Sequence, residues 1–210
     1  MAESPAFESP VVRSYETAPE SALMLFDASA TVKWLVRGSS GGAAAARLGA
    51  PFGSSRATGN GALVLGARPG EWIILGAAGP VAELVAGIEG LDPPGLDLEG
   101  LDLEGLDPPD FVTALDWTHG RALFRVTGSD APRMLEKVCS LDWSDQMTPN
   151  GAVAAASVAK VVCDIARNDM DGIPSYLIFC DRSFGQYLFD ALIDAGDEFG
   201  VSVGSEPARA

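Results

Sequence analysis

Between Gly120 and Gly196 the apolar residues switch repeatedly between alternate and helical spacing. A stretch patterned in this way has to interleave strands and helices, because only those periods keep one side of each element apolar. Ala122, Phe124 and Val126 alternate within Ala122–Thr127 and predict a strand. Ala131, Met134, Leu135, Val138 and Cys139 follow at helical spacing. Ser129 or Asp130 stands where a cap belongs, and Pro132 falls in the first turn. Ser157–Ala166 reads as one strand, with Ala159, Val161, Cys163 and Ile165 inward and Lys160 and Asp164 outward. Ser175–Cys180 is apolar enough for an interior strand. Phe184, Tyr187, Leu188, Ala191, Leu192 and Ala195 then predict a helix with Asp181 as cap and Gly196 as stop. The order is β-α-β-β-α, with Val201–Val203 available as a closing strand.

The preceding half follows a similar plan. Val32, Trp34 and Val36 alternate within Thr31–Arg37, a strand. Residues 38–61 are dominated by Gly, Ala and Ser. Their Gly59-Asn60-Gly61 lacks the Lys-Ser/Thr of a phosphate-binding loop, so the segment reads as a plain loop. Ala62–Gly66 and Glu71–Gly76 form a hairpin around Ala67-Arg68-Pro69-Gly70. Val81, Leu84, Val85 and Ile88 mark one face of a helix. Val112–Trp117 opens the second half as another strand. The fold class is therefore α+β, two similar halves of antiparallel strands backed by helices. The expected layout is an extended arm at 1–22, a first α+β half at 23–89, an acidic linker at 90–110, a second half at 111–203 and a tail at 204–210.

The arm and the linker are set apart by composition. Residues 1–22 are rich in Pro, Ser, Glu and Ala, and Glu3-Ser4-Pro5 is echoed by Glu8-Ser9-Pro10. Such a segment has no core of its own and is expected to lie disordered or to drape over a partner. Between Gly90 and Pro109 the triplet Gly-Leu-Asp occurs four times at a period that suits neither strand nor helix. Recurrent carboxylates raise the question of calcium, but nothing there converges several of them on one point. A linker is the better reading.

The formal net charge is -15, about half of it from the seven carboxylates of 90–110. An acidic chain is poorly suited to nucleic acid or to anionic membrane surfaces, which attract Lys and Arg. Cys139, Cys163 and Cys180 all fall on apolar faces and form no C-x-x-C pair. Buried thiols in the reducing cytoplasm are expected, with no signal peptide and no membrane span.

Residues suited to chemistry are scarce. His119 is the only histidine. It precedes a strand, where a structural or solvent-facing role is the usual one. No metal site and no catalytic residue emerge. Asp164 is the single candidate for cofactor binding, an acid interrupting an apolar strand. Trp143 suits either core packing or a partner anchor. Arg182, at the start of the last helix, is a candidate for an anion or a partner interface.

Several stretches resemble the gamma subunit of heterotetrameric sarcosine oxidase. They are Phe124-Arg-Val-Thr-Gly-Ser-Asp-Ala131, Leu135-Glu-Lys-Val-Cys-Ser-Leu-Asp142 and Asp181-Arg-Ser-Phe-Gly-Gln-Tyr-Leu188. Thr31-Val-Lys-Trp-Leu-Val-Arg37 and Gly66-Ala-Arg-Pro-Gly-Glu-Trp72 resemble it too. That family is in turn similar to the folate-binding, aminomethyltransferase-like fold of the glycine-cleavage T-protein. The resemblance implies a subunit, without catalytic residues of its own, in a complex with alpha, beta and delta partners. The complex would demethylate sarcosine oxidatively to glycine, with tetrahydrofolate and oxygen. It also implies that FAD, FMN, NAD and tetrahydrofolate sit in the partners and that this chain binds no cofactor. The alternative is a stand-alone tetrahydrofolate-binding one-carbon transfer protein using Asp164. Against it, Val158-Ala-Lys-Val-Val162 stands where T-protein relatives have a glycine-rich approach to their acid.

Overall fold

A computed structural model describes residues 6–15, 22–89 and 112–204 of the chain. The Gly-Leu-Asp linker at 90–110 and nearly all of the tail at 204–210 lie outside them, as do residues 1–5 and 16–21 of the arm. The chain divides into two compact units, one of residues 1–31 and 117–210, the other of residues 32–116. These are not the sequential halves expected. Strand β1, Leu23–Asp27, joins the later strands by pairing antiparallel with β7, Arg121–Gly128. Strand β6, Thr113–Asp116, instead pairs with β2, Val32–Arg37.

In the discontinuous unit a six-stranded sheet runs β11-β1-β7-β10-β9-β8. Its remaining strands are β8, Val153–Val158, β9, Val161–Arg167, β10, Ser175–Asp181, and β11, Ser202–Gly204. Only the β1–β11 pairing is parallel. One face packs on helices α3, Ala131–Glu136, and α4, Gly185–Gly196. Phe124, Val126, Ile165, Tyr176 and Ile178 meet Met134, Leu135, Leu188, Phe189 and Leu192 there. Burying such side chains yields about 1.5–3 kcal/mol each before chain entropy is counted.

The unit of residues 32–116 has a five-stranded antiparallel sheet ordered β3-β4-β5-β2-β6. Strands β3, Ser55–Ala57, β4, Leu63–Arg68, and β5, Glu71–Gly76, follow helix α1, Ala43–Leu48. Helix α2, Ala78–Glu89, buries Val81, Val85 and Ile88, the face expected, with Leu84 at its margin. Pro69-Gly70 turns β4 into β5, and Gly70 takes φ 72, a conformation glycine adopts without strain. Helix α1 was not expected in a loop of small residues. An alanine run has the highest helix propensity, and Gly49 closes it at φ 62 with its N–H on the Ala45 carbonyl.

Three further details of the sequence reading change. Ser157–Ala166 is not one strand but the end of β8, a tight turn at Ala159-Lys160 and most of β9. Both turn residues have positive φ, 45° and 70°, the pattern of a two-residue hairpin loop. In the last helix the buried stripe is Gly185, Leu188, Phe189, Leu192 and Ala195, while Phe184 and Tyr187 are half exposed. The helix is rotated so that Tyr187 donates its hydroxyl to the Ala159 carbonyl at 3.1 Å, across the hairpin tip. The arm, finally, lies on its own unit: Val11 and Tyr15 pack against the core, and the Tyr15 ring stands 5.2 Å from Phe189.

Candidate functional site

Asp164 belongs to the sheet face opposite Cys163 and Ile165, as its alternation requires. It is not solvated, however, being only 2% exposed. Arg121 Nη2 donates to its Oδ2 at 2.9 Å. The guanidinium in turn lies under Trp117, 4.7 Å from the ring centroid, in cation–π geometry. Phe179 is in register with both Asp164 and Leu123, and Asp181 with Arg121. Arg121, Asp164 and Trp117 thus form one cluster at the end of the sheet where β7 begins. Sequence reasoning missed Arg121 because its partner is 43 residues away and two strands over.

Asp181 stands beside this cluster and acts as a cap. Its Oδ1 accepts from the Ser183 hydroxyl at 2.7 Å and from the Ser183 N–H at 3.0 Å. The hydroxyl and then the backbone bond hold its carboxyl below the usual range. A carboxylate so engaged orders the entry to α4 and serves poorly as a general base.

Trp143 takes the packing role. It is 2% exposed, and its ring meets Tyr176 edge-on at 5.1 Å. Arg167 lies over the other side of that region, 5.8 Å from the Tyr176 centroid. Its guanidinium binds Asp145 at 2.6 Å, the Thr148 carbonyl at 2.7 Å and Asp169 at 2.9 and 3.1 Å. Arg167 therefore fastens two loops to the sheet, a structural duty legible only in three dimensions. Arg182 contacts the chain itself, donating to the Glu8 carbonyl and lying 5.5 Å from the Phe7 ring centroid. His119 is exposed, and its ring meets the same Phe7 at a tilt, 5.6 Å between centroids.

The other candidates resolve as structure. Gly59-Asn60-Gly61 is a turn between β3 and β4, closed by Thr58 N–H on the Ala62 carbonyl at 2.8 Å. A cavity of about 430 Å³ opens in that unit, lined by Gly42, Ala46, Pro51, Phe52, Arg68 and Trp72. Its one charged lining group, Arg68, is paired with Glu71 at 2.6 Å. Cys163 and Cys180 are buried and unlinked, and desolvation pushes each thiol up to about 12. Among the described residues no group of His, Cys, Asp and Glu could hold a metal, and no helix is long and apolar enough to cross a membrane.

The fold is that of a domain of the aminomethyltransferase type. Residues 99–209, more than half of the chain, match the family model described as the GCVT N-terminal domain, and the chain belongs to that family. Among solved structures it is similar to one chain of heterotetrameric sarcosine oxidase from Corynebacterium sp. U-96, solved with pyrrole 2-carboxylate. The TM-score is 0.67 at 22% identity, over 88% of each chain. It is also similar to the glycine cleavage system aminomethyltransferase T from Bartonella henselae, with a TM-score of 0.58 at 16% identity. That match covers 88% of this chain but 48% of the other, so the chain spans about half the length of the transferase. No curated protein sequence matches it. The expected α+β class, antiparallel strands backed by helices on an aminomethyltransferase-like fold, is the one observed.

Proposed function

We propose that this chain is a structural, gamma-type subunit of a heterotetrameric sarcosine oxidase or a closely allied amine-oxidising complex in the cytoplasm. The observation that carries the proposal is the reciprocal 88% coverage with one chain of such an enzyme, against 48% of the transferase. A match over 88% of both chains supports a subunit of that kind. The alpha, beta and delta partners would hold FAD, FMN, NAD and tetrahydrofolate and carry out the demethylation.

The chain's own residues agree with a supporting role. Asp164 is buried and accepts from Arg121, the arrangement of a structural ion pair. Co-expression with neighbouring flavoprotein subunits is the test. A yellow complex containing this chain in stoichiometric amount is expected, and elution of the chain alone from the same lysate would overturn the assignment.

The family match and the buried acid support a second reading, tetrahydrofolate binding by this chain itself. Calorimetric titration of the isolated chain separates the two. Heat that saturates with ligand and is lost in Asp164→Asn would favour it; silence at millimolar ligand would remove it.

A further inference from the structure

Residues 7–15 run along α4, and much of what holds them is main chain. Gln186 Oε1 accepts the N–H groups of Val12 at 2.8 Å and Arg13 at 3.0 Å. Its Nε2 donates to the Tyr15 hydroxyl at 2.7 Å. Arg182 donates to the Glu8 carbonyl, and its Nη1, out of solvent, has no hydrogen-bond partner among the described residues. Asp190 receives Arg13 Nη1 at 2.8 Å and the Tyr15 hydroxyl. At Gly185 a Cβ would stand 2.6 Å from Pro10 Cβ and 3.2 Å from Ala122 Cβ. The proline ring therefore fills the place a side chain would take.

Gly185, Gln186, Phe189 and Asp190 fall on one face of α4, and Arg182, in the 3-10 turn that leads into it, meets the same arm. Together they supply a donor for a backbone carbonyl, an acceptor for two successive N–H groups, a notch that selects proline and a carboxylate for the far end. Backbone contacts give affinity and side-chain pockets give selectivity in the extended-peptide modes of recognition. None of these contacts depends on the covalent tie between the arm and β1. The polar ones are also weakly held, since the Arg13 and Asp190 side chains are 67% and 32% exposed. Surface pairs of this kind contribute little, and segments fastened by them open locally.

We propose that this face of α4, with Arg182 at its start, is a recognition groove for an extended segment of pattern Phe-x-x-Pro-Val-x-Arg-x-Tyr. Residues 7–15 fill it in cis, and the same segment of a second copy can take their place. The groove is independent of the assignment to an oxidase subunit. The local arm normally wins because its tether raises its effective concentration to the millimolar range.

The experiment uses the full chain and a fluorescent peptide of residues 6–15. An arm variant, Pro10→Asp with Tyr15→Ala, vacates the groove and leaves its walls intact. Fluorescence anisotropy should show this variant binding the peptide at least tenfold more tightly than the unaltered chain. Adding Gln186→Ala should reverse the gain by a similar factor. An arm variant with unchanged circular dichroism that binds no better than the unaltered chain overturns the proposal, as does binding indifferent to Gln186→Ala. Hydrogen exchange on the unaltered chain covers the case in which the variant does not fold. Millimolar unlabelled peptide should speed exchange at the Val12 and Arg13 amides, and an unchanged rate would equally overturn it.

Discussion

Arg121 on β7 and Asp164 on β9 join at 2.9 Å across β10, which lies between their strands. The two backbones are roughly 10 Å apart by twice the inter-strand spacing, so only a long side chain closes the gap. Removing one partner of a buried pair leaves an uncompensated charge, which is worse than removing both. Asp164→Leu is expected to lower unfolding free energy by about 2–3 kcal/mol, less than for a fully buried arginine, because Arg121 is 19% exposed. Asp164→Leu with Arg121→Met should recover most of that loss in urea titrations. Additive losses would mean that the pair is not coupled.

The β8–β9 turn carries avoidable strain. Lys160 sits at φ 70 with an ordinary side chain, at a cost of about 1–2 kcal/mol. Lys160→Gly removes that cost but adds about 0.5–1 kcal/mol of unfolded-chain entropy. The net expectation is a gain of about 0.5–1 kcal/mol, or roughly 2 °C in Tm for a chain of this size. Lys160→Val should act in the opposite direction. Scanning calorimetry of the pair reads both signs.

Stability should fall in alkali. Cys163 and Cys180 hold their protons to about 12 in the fold, against an ordinary 9.0, chiefly because burial disfavours the thiolate. Burial also raises Tyr176 above its ordinary 10.0. The unfolded chain releases these protons first, so the thiol contribution is complete below pH 9 and is lost as pH climbs toward 12. Urea midpoints measured from pH 8 upward should decline monotonically. At pH 8 neither thiol should react with a soluble disulfide reagent until denaturant is added, and rapid labelling of the native chain would contradict the buried arrangement.

Gly185 can be tested through the arm it seats. Alanine improves helix propensity there, but its methyl would meet Pro10 at 2.6 Å. Gly185→Ala should keep the helical signal and free the arm. Limited trypsin treatment would then cut after Arg13 several-fold faster than in the unaltered chain, and an equal rate would show that the arm tolerates the methyl.

The elements read best from sequence are those whose burial depends on near neighbours. Val81, Val85 and Ile88 lie one turn apart, and the helix and face they predict are the ones found. Leu188, Leu192 and Ala195 likewise announce α4, but Phe184 and Tyr187 share the same periodicity and misplace its edge. Spacing cannot tell a buried aromatic from one whose hydroxyl reaches a carbonyl on a distant hairpin. The turn at Ala159-Lys160 was hidden because neither residue is a usual turn former and the alternation carries straight through it. At the candidate site Asp164 was visible as an acid among apolar residues. Its partner Arg121 and the stacking of Trp117 were not, since a diagonal across three strands leaves no mark at any fixed sequence spacing.

The interleaving of the two units fixes an order of synthesis and assembly. Every strand of the five-stranded sheet lies within residues 32–116, so that sheet can close while the rest of the chain is still being made. Strand β1 emerges earlier than all of them, yet Leu23 pairs with Gly128, more than a hundred residues downstream, and Met24 with Ser202. Until those residues leave the ribosome, its Leu23 and Leu25 have no native neighbours in the sheet. Pairing over such separations is slow because the loop must close before any contact rewards it. Stalled or truncated translation products would therefore carry a finished five-stranded unit and an orphan apolar strand, the species a cell's chaperones and proteases must handle.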